Sequence, residues 1–112
     1  MTYLSYLVSV DTISTAIEII DNSKPEKFQL YQNRPNPFNS STVIIFDISQ
    51  RLPVILQVYN LLGQVITTAV SEIKDPGQYQ VYIEMNENPA GLYFYTIQMG
   101  DFINTKKMLL LK

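Results

Sequence analysis

The chain has 112 residues, of which 46% are hydrophobic and only 16% are charged, a composition typical of one folded domain with one core and not of a disordered tail. Its formal charge of −2 provides no clustered basic surface of the kind that binds nucleic acid. It contains no cysteine and no histidine, which excludes disulfides, thiolate metal sites and the commonest general base and transition-metal ligand.

The first 20 residues fit two patterns. Their apolar residues recur at helical spacing, whereas residues 4–10 alternate as a strand would. The many β-branched residues favour a strand. The segment lacks a positively charged start, so it is not typical of a signal peptide, and an exported protein would need sequence beyond this chain. Residues 21–27 are polar with one proline and are predicted to be a linker.

From residue 28 onward, short apolar runs are separated by turn residues about every ten positions, which predicts an antiparallel sandwich or small barrel. Seven strands are predicted, near residues 28–32, 42–48, 53–60, 64–70, 78–84, 92–99 and 102–111. In the fifth, Tyr79, Val81 and Ile83 share one face, the alternation of a half-buried strand. The sixth is apolar on both faces apart from Thr96 and Gln98, which predicts a central strand covered on both sides.

Glycine and proline mark the predicted connections. Gly63 ends a turn between the third and fourth strands, Gly77 precedes the fifth, and Gly100 supplies the positive φ of a two-residue hairpin turn. Pro35 and Pro37 remove two backbone donors and fix their own φ angles, so residues 34–39 are predicted to form a rigid extended loop.

Five sequence landmarks follow one another between residue 28 and the last residue. They are Leu30 to Asn39, which contains Pro35, Asn36, Pro37, Phe38 and Asn39; Val58 to Gly63; Gly77; Pro89 to Tyr95, which contains Gly91; and a basic and apolar end after Gly100, formed by Lys106, Lys107, Met108, Leu109, Leu110, Leu111 and Lys112. In this order they resemble the type A C-terminal sorting domain of the type IX secretion system of Bacteroidetes-like bacteria. The chain departs from the family pattern at Ser40, at Asn60 and at Ile83-Glu84.

The resemblance implies a seven-stranded, immunoglobulin-like antiparallel sandwich over residues 28–112, after a cargo tail (1–20) and a linker (21–27) that is the plausible cleavage zone. It implies a secretion signal without cofactor, metal site or catalytic residues. Such a domain directs its cargo from the periplasm through the outer-membrane translocon. A surface signal peptidase or transpeptidase then removes it, and the cargo stays at the cell surface, in some cases attached to anionic lipopolysaccharide, or is released.

The terminal strand is the first candidate site, because the resemblance implies that the translocon recognises residues 106–112. Met108 and Leu110 are expected to face one side of this strand, and Leu109 and Leu111 the other. From residue 103 onward there are three lysines and no acidic residue, so a receptor with an acidic groove could attract this end. The loop of Pro35 to Asn39 is either a second recognition element or a rigid connection.

Other functions have weaker support. Eight tyrosines suggest an adhesive or carbohydrate-binding module, which would need a row of exposed aromatic rings, but Tyr79, Tyr93 and Tyr95 fall on predicted core faces. An accessory domain of an enzyme would need a large apolar docking face. Oxygen ligands are too few for a calcium site, and the carboxylates are too scattered for glycoside chemistry. Self-association through the N-terminal segment or a sheet edge is a further expectation.

Overall fold

The computed structural model describes residues 15–112, and all of its regular elements in that range are β-strands. They are β1 (Thr15–Asp21), β2 (Gln29–Leu30), β3 (Ser41–Ile48), β4 (Leu52–Tyr59), β5 (Val65–Lys74), β6 (Gly77–Glu84), β7 (Gly91–Met99) and β8 (Phe102–Leu110). Sheet A has the antiparallel order β1-β6-β3-β2, and sheet B the antiparallel order β5-β4-β7-β8. The predicted all-β sandwich is confirmed. The seven predicted strands correspond to β2 through β8, and β1 is an additional eighth strand.

Strand β1 comes from the N-terminal segment whose structure the sequence left open between helix and strand. Residues 15–20 form a strand, as the β-branched residues favoured, and residues 1–14 lie outside the described part of the chain. The pairing with β6 runs from Thr15 opposite Ile83 to Asp21 opposite Gln78, with one bulge. After Asp21 the chain is irregular through residue 28, and residues 22–27 are exposed apart from the half-buried Pro25.

The core lies between the two sheets because the inner strands β3, β4, β6 and β7 alternate buried side chains with more exposed ones. Tyr79, Val81 and Ile83 of β6 are buried on one face, as predicted. The Tyr79 ring stacks on Phe46 of β3, with 5.4 Å between the ring centroids. Each fully buried apolar side chain contributes about 1.5–3 kcal/mol relative to an exposed one. Alternation of this kind fixes the register of both sheets, since a slip by one residue would expose every core side chain.

Strand β7 lies in the interior of sheet B, as predicted for the sixth apolar run. The prediction that both of its faces are covered is wrong. Leu92 and Phe94 on the outer face are half-buried and Gln98 is exposed, whereas Tyr93 and Tyr95 on the inner face are buried. The outer face has no second layer within residues 15–112, so its apolar residues are covered by their neighbours in the sheet.

The connections form at the predicted glycines. Gly63 and Gly100 have φ angles of 81° and 60°, the left-handed backbone that glycine adopts at low cost. Gly77 and Gly91 are the first residues of β6 and β7. A Cβ atom at Gly77 would lie 3.0 Å from the carbonyl oxygen of Asp21, so this position needs glycine for the close approach of β1. No helix long and apolar enough to cross a membrane occurs in residues 15–112.

Candidate functional site

The terminal strand β8 forms one edge of sheet B. It pairs with β7 from Phe102 opposite Met99 to Leu110 opposite Gly91. Met108 and Leu110 point into the core, with 1% and 0% of their surface exposed. The next side chains along the chain point outward, and Leu109 and Leu111 are 36% and 45% exposed. The two pairs therefore lie on opposite sides of the strand, as the alternation predicts, and the structure shows that Met108 and Leu110 are on the core side.

The loop of Pro35 to Asn39, called the motif loop below, contacts the last residues of β8 directly. The amide of Phe38 donates to the carbonyl oxygen of Leu109 at 3.0 Å, and the amide of Leu111 donates to the carbonyl oxygen of Phe38 at 2.7 Å. The amide of Leu109 donates to Oδ1 of Asn36 at 3.0 Å. The Phe38 side chain is 1% exposed and anchors the loop in the core. The motif loop thus occupies the outer backbone edge of the chain end, the edge that β7 leaves free.

Asn33 holds the start of the motif loop through a buried polar network. Its side-chain amide donates to the carbonyl oxygen of Pro35 at 3.1 Å and to Oγ1 of Thr42 at 2.9 Å. The Thr42 hydroxyl in turn donates to the same Pro35 oxygen at 2.9 Å. Asn33 and Thr42 are each 1% exposed, so each of these bonds satisfies a polar group that would be costly to bury alone.

Tyr95 connects this network to the middle of sheet B. Its hydroxyl accepts a hydrogen bond from the amide of Asn33 at 2.8 Å and donates to the carbonyl oxygen of Tyr31 at 2.8 Å. Burial raises the pKa of the Tyr95 hydroxyl to about 12, because the phenolate would lose its hydration. The hydroxyl is therefore neutral at ordinary pH, as its role as a donor to Tyr31 requires.

Gln32 links the network to β8. Its side-chain amide donates to Oδ1 of Asn33 at 2.7 Å and to the carbonyl oxygen of Lys107 at 2.7 Å. No local pattern in the sequence indicates this role, since Gln32 and Lys107 are 75 positions apart. Together, Gln32, Asn36 and Phe38 cover the outer backbone edge of the terminal segment from Lys107 to Leu111.

The charge at this end of the domain is basic. Within residues 15–112, the ion pairs are Arg51 with Asp75 at 2.9 Å and Lys74 with Glu72 at 3.4 Å. The lysines of the terminal segment, Lys106, Lys107 and Lys112, form none in that range. Lys112 donates to the carbonyl oxygen of Asn86 at 2.7 Å, and Lys107 is exposed. Cations without a carboxylate partner remain available to an acidic surface.

The aromatic residues do not form the row that carbohydrate binding would need. Tyr79, Tyr93 and Tyr95 are buried, as predicted. The Tyr79 and Tyr93 hydroxyls donate to the backbone oxygens of the residues four positions earlier, at 2.8 and 2.6 Å. Among residues 15–112, Tyr82 is the one exposed aromatic residue, at 43%. In the same range no group of three or more acidic side chains is placed to hold a metal ion.

Comparison with known proteins gives a family match and a fold match. Residues 33–111 match the family model described as the secretion system C-terminal sorting domain. No curated protein matches the chain. A Salmonella alpha-2-macroglobulin reacted with methylamine has a similar fold over 84% of this chain, with 19% identity and a TM-score of 0.59; the match spans 7% of that protein. The Ig1 domain of mouse SynCAM 2 aligns with 77% of this chain and 94% of its own, with 11% identity and a TM-score of 0.40.

Proposed function

The chain belongs to the family of secretion system C-terminal sorting domains, and on this premise we propose that the type IX machinery recognises it through the outer side chains of its terminal segment, residues 106–112. The main support for this function is the match of residues 33–111 to the family model. The domain is a C-terminal sorting signal for type IX secretion, a signal module whose family implies no catalysis. Its family also implies interaction with the secretion machinery and export to the cell surface or the extracellular space.

Three properties of the terminal segment support its role in recognition. Its outward side chains lie on the outer face of sheet B, where a partner can approach. Its outward side chains combine an exposed lysine, Lys107, with the partly exposed Leu109 and Leu111. Its conformation is fixed by β7 on one side and by the motif loop on the other, so little entropy would be lost on binding. The motif loop then acts by holding the recognised segment in place.

Processing at the cell surface is the second part of the proposal. The predicted cleavage zone is residues 21–27. Asp21 is the last residue of β1, and the loop of residues 22–27 is irregular and exposed apart from Pro25, the form in which a protease can bind a chain. A surface signal peptidase would cut here after transit through the periplasm and the translocon. A transpeptidase-like component would couple the cut to attachment of the cargo to anionic lipopolysaccharide. Because β1 precedes this loop, the cut would leave β1 with the cargo.

The test is delivery of a reporter by the complete chain. Residues 1–112 are fused to the C-terminus of a periplasmic reporter in a bacterium that has the type IX system, and surface reporter is measured by protease accessibility. Delivery is expected in that strain and not in a matched strain without the translocon. Mass spectrometry of the released domain is expected to place its first residue between 22 and 28.

The role of the terminal segment is tested by substitutions that leave the core intact. Lys107→Glu combined with Leu109→Gln and Leu111→Gln is expected to abolish delivery. Ile103→Gln, which changes a side chain 61% exposed at the other end of the same strand, is the matched control and is expected to have no effect. Equal delivery by the triple variant and the control would show that recognition lies elsewhere.

A further inference from the structure

We propose that the turn between β4 and β5 is a second contact for the same partner, and that Leu61 and Leu62 insert into an apolar pocket with an acidic rim on a component of the type IX machinery. The inference rests on the proposed function and extends its recognition surface. Leu61 and Leu62 are 65% and 82% exposed, more than any other large apolar side chain among residues 15–112. Single exposed apolar side chains are common on protein surfaces, whereas contiguous exposed apolar surface, as at these two leucines, marks interaction sites.

The turn is built to hold these leucines in place. Oδ1 of Asn60 accepts hydrogen bonds from the amide of Leu62 at 2.9 Å and from the amide of Gln64 at 3.0 Å. The Asn60 side-chain amide donates to Oε1 of Gln64 at 2.7 Å, and the backbone amide of Gly63 donates to the carbonyl oxygen of Asn60 at 3.0 Å. A partner would therefore meet an ordered apolar tip, and binding would cost little loop entropy.

The sheet register places this turn beside the terminal segment. Tyr59, the last residue of β4, lies opposite Phe94 of β7, and Phe94 lies opposite Lys107 of β8. One strand separates β4 from β8, so the turn and the terminal segment are about 10 Å apart at the same end of sheet B. Leu109 and Leu111 continue from Lys107 toward that end. One face of a partner can contact the leucine turn and the terminal segment together.

A protein pocket fits this surface better than a membrane does. Residues 60–65 carry no charge and no aromatic ring, whereas membrane-surface segments combine apolar side chains with basic residues and aromatic anchors. Protein interfaces have an apolar core inside a polar rim, and side chains that fill a desolvated pocket at the core dominate their binding energy. The unpaired Lys107 nearby complements an acidic rim. Strand addition to the terminal segment is blocked, because the motif loop occupies its outer backbone edge.

The test uses the same reporter fused to residues 1–112. Leu61→Gln combined with Leu62→Gln is expected to lower surface delivery at least about tenfold, the effect of losing roughly 1.4 kcal/mol of binding. The matched control is Ile73→Gln combined with Ile103→Gln, which changes two side chains 53% and 61% exposed at the opposite end of sheet B and is expected to leave delivery unchanged. Thermal unfolding of both variants is expected to match the wild type, and Leu62→Gln alone serves if the double variant does not fold.

The outcomes separate the two proposals. If the wild-type fusion is delivered and the leucine variant is delivered equally well, the inference is overturned and the proposed function stands. If the wild-type fusion is not delivered, the proposed function fails and the inference fails with it. The proposed protein pocket would be overturned in favour of a membrane if the purified wild-type chain binds vesicles of phosphatidylethanolamine and phosphatidylglycerol and the leucine variant does not. The pocket would also be overturned if the purified wild-type chain is a dimer and the Leu61→Gln, Leu62→Gln variant is a monomer, because the leucines would then contact a second copy of this chain.

Discussion

Tyr95→Phe removes one oxygen atom from the core and tests how the motif loop is held. The lost hydroxyl accepts from the amide of Asn33 and donates to the carbonyl oxygen of Tyr31, so two backbone groups lose their partners at once. Tyr95 is 0% exposed and Asn33 1%, which leaves little room for water to replace these bonds. Each unsatisfied buried group costs about 1–3 kcal/mol, so the variant, with two such groups, should lose roughly 2–6 kcal/mol of stability.

Tyr93→Phe is the matched control. The Tyr93 hydroxyl donates to a single backbone oxygen, that of Pro89, and its side chain is also buried at 5% exposure. About half the destabilisation is therefore expected. Urea unfolding followed by tyrosine fluorescence measures both values, and the melting temperature should fall by about 4–8 °C for each kcal/mol lost.

Hydrogen exchange gives a second measurement that Tyr93→Phe should not change. Because Tyr95 positions Asn33, and Asn33 positions the motif loop, the amides of Leu109 and Leu111 should exchange faster in Tyr95→Phe. These amides donate to Asn36 and Phe38. If Tyr95→Phe differs from Tyr93→Phe by less than about 0.5 kcal/mol, or if the exchange of both amides is unchanged, the network does not hold the loop as described.

Three further outcomes follow from the structure. Asn36→Ala should speed exchange of the Leu109 amide, measured by NMR, with a loss of about 1 kcal/mol, since a single hydrogen bond is removed. Gly77→Ala should displace β1, because its Cβ would lie 3.0 Å from the Asp21 oxygen, at a cost of about 1–3 kcal/mol; exchange should rise in residues 15–21 and stay constant in β8. Burial raises the pKa of Tyr95 from 10.0 to about 12. The stability that its neutral hydroxyl contributes is therefore complete below pH 10 and is lost as the pH rises toward 12. Urea titrations over that pH range should show the stability difference between wild type and Tyr95→Phe becoming smaller.

The sequence predicted the sandwich because its signals are local. The alternation of Tyr79, Val81 and Ile83 depends on neighbours two positions apart, and the positive φ angles of Gly63 and Gly100 depend on the residues themselves. The sequence also predicted that Met108 and Leu110 lie on one side of the terminal strand and Leu109 and Leu111 on the other. Each of these features depends on residues close together in the sequence, so none requires knowing which residues far along the chain come into contact.

The features that escaped prediction are long-range contacts. The apolar spacing of the first 20 residues also fits a helix, and the strand was favoured only by the β-branched residues; the pairing of residues 15–21 with β6 decides it for that part of the segment. The attachment of the motif loop to β8 depends on bonds such as that of Asn36 to Leu109, 73 positions apart. The exposure of Leu61 and Leu62 was not predicted either, because the sequence pattern placed them in a turn but did not show which residues surround that turn.

The direction of β6 separates the two places where other proteins would act on this domain. The loop of residues 22–27 follows Asp21, which pairs with Gln78 near the start of β6, while Lys112 contacts Asn86, just past its end. The seven residue steps of β6, from Gly77 to Glu84, span about 23 Å. A component that binds the terminal segment, residues 106–112, therefore leaves the loop of residues 22–27 uncovered. Holding and cutting need not compete for the same surface, and the peptide bond to the cargo can be cut while the domain is still bound.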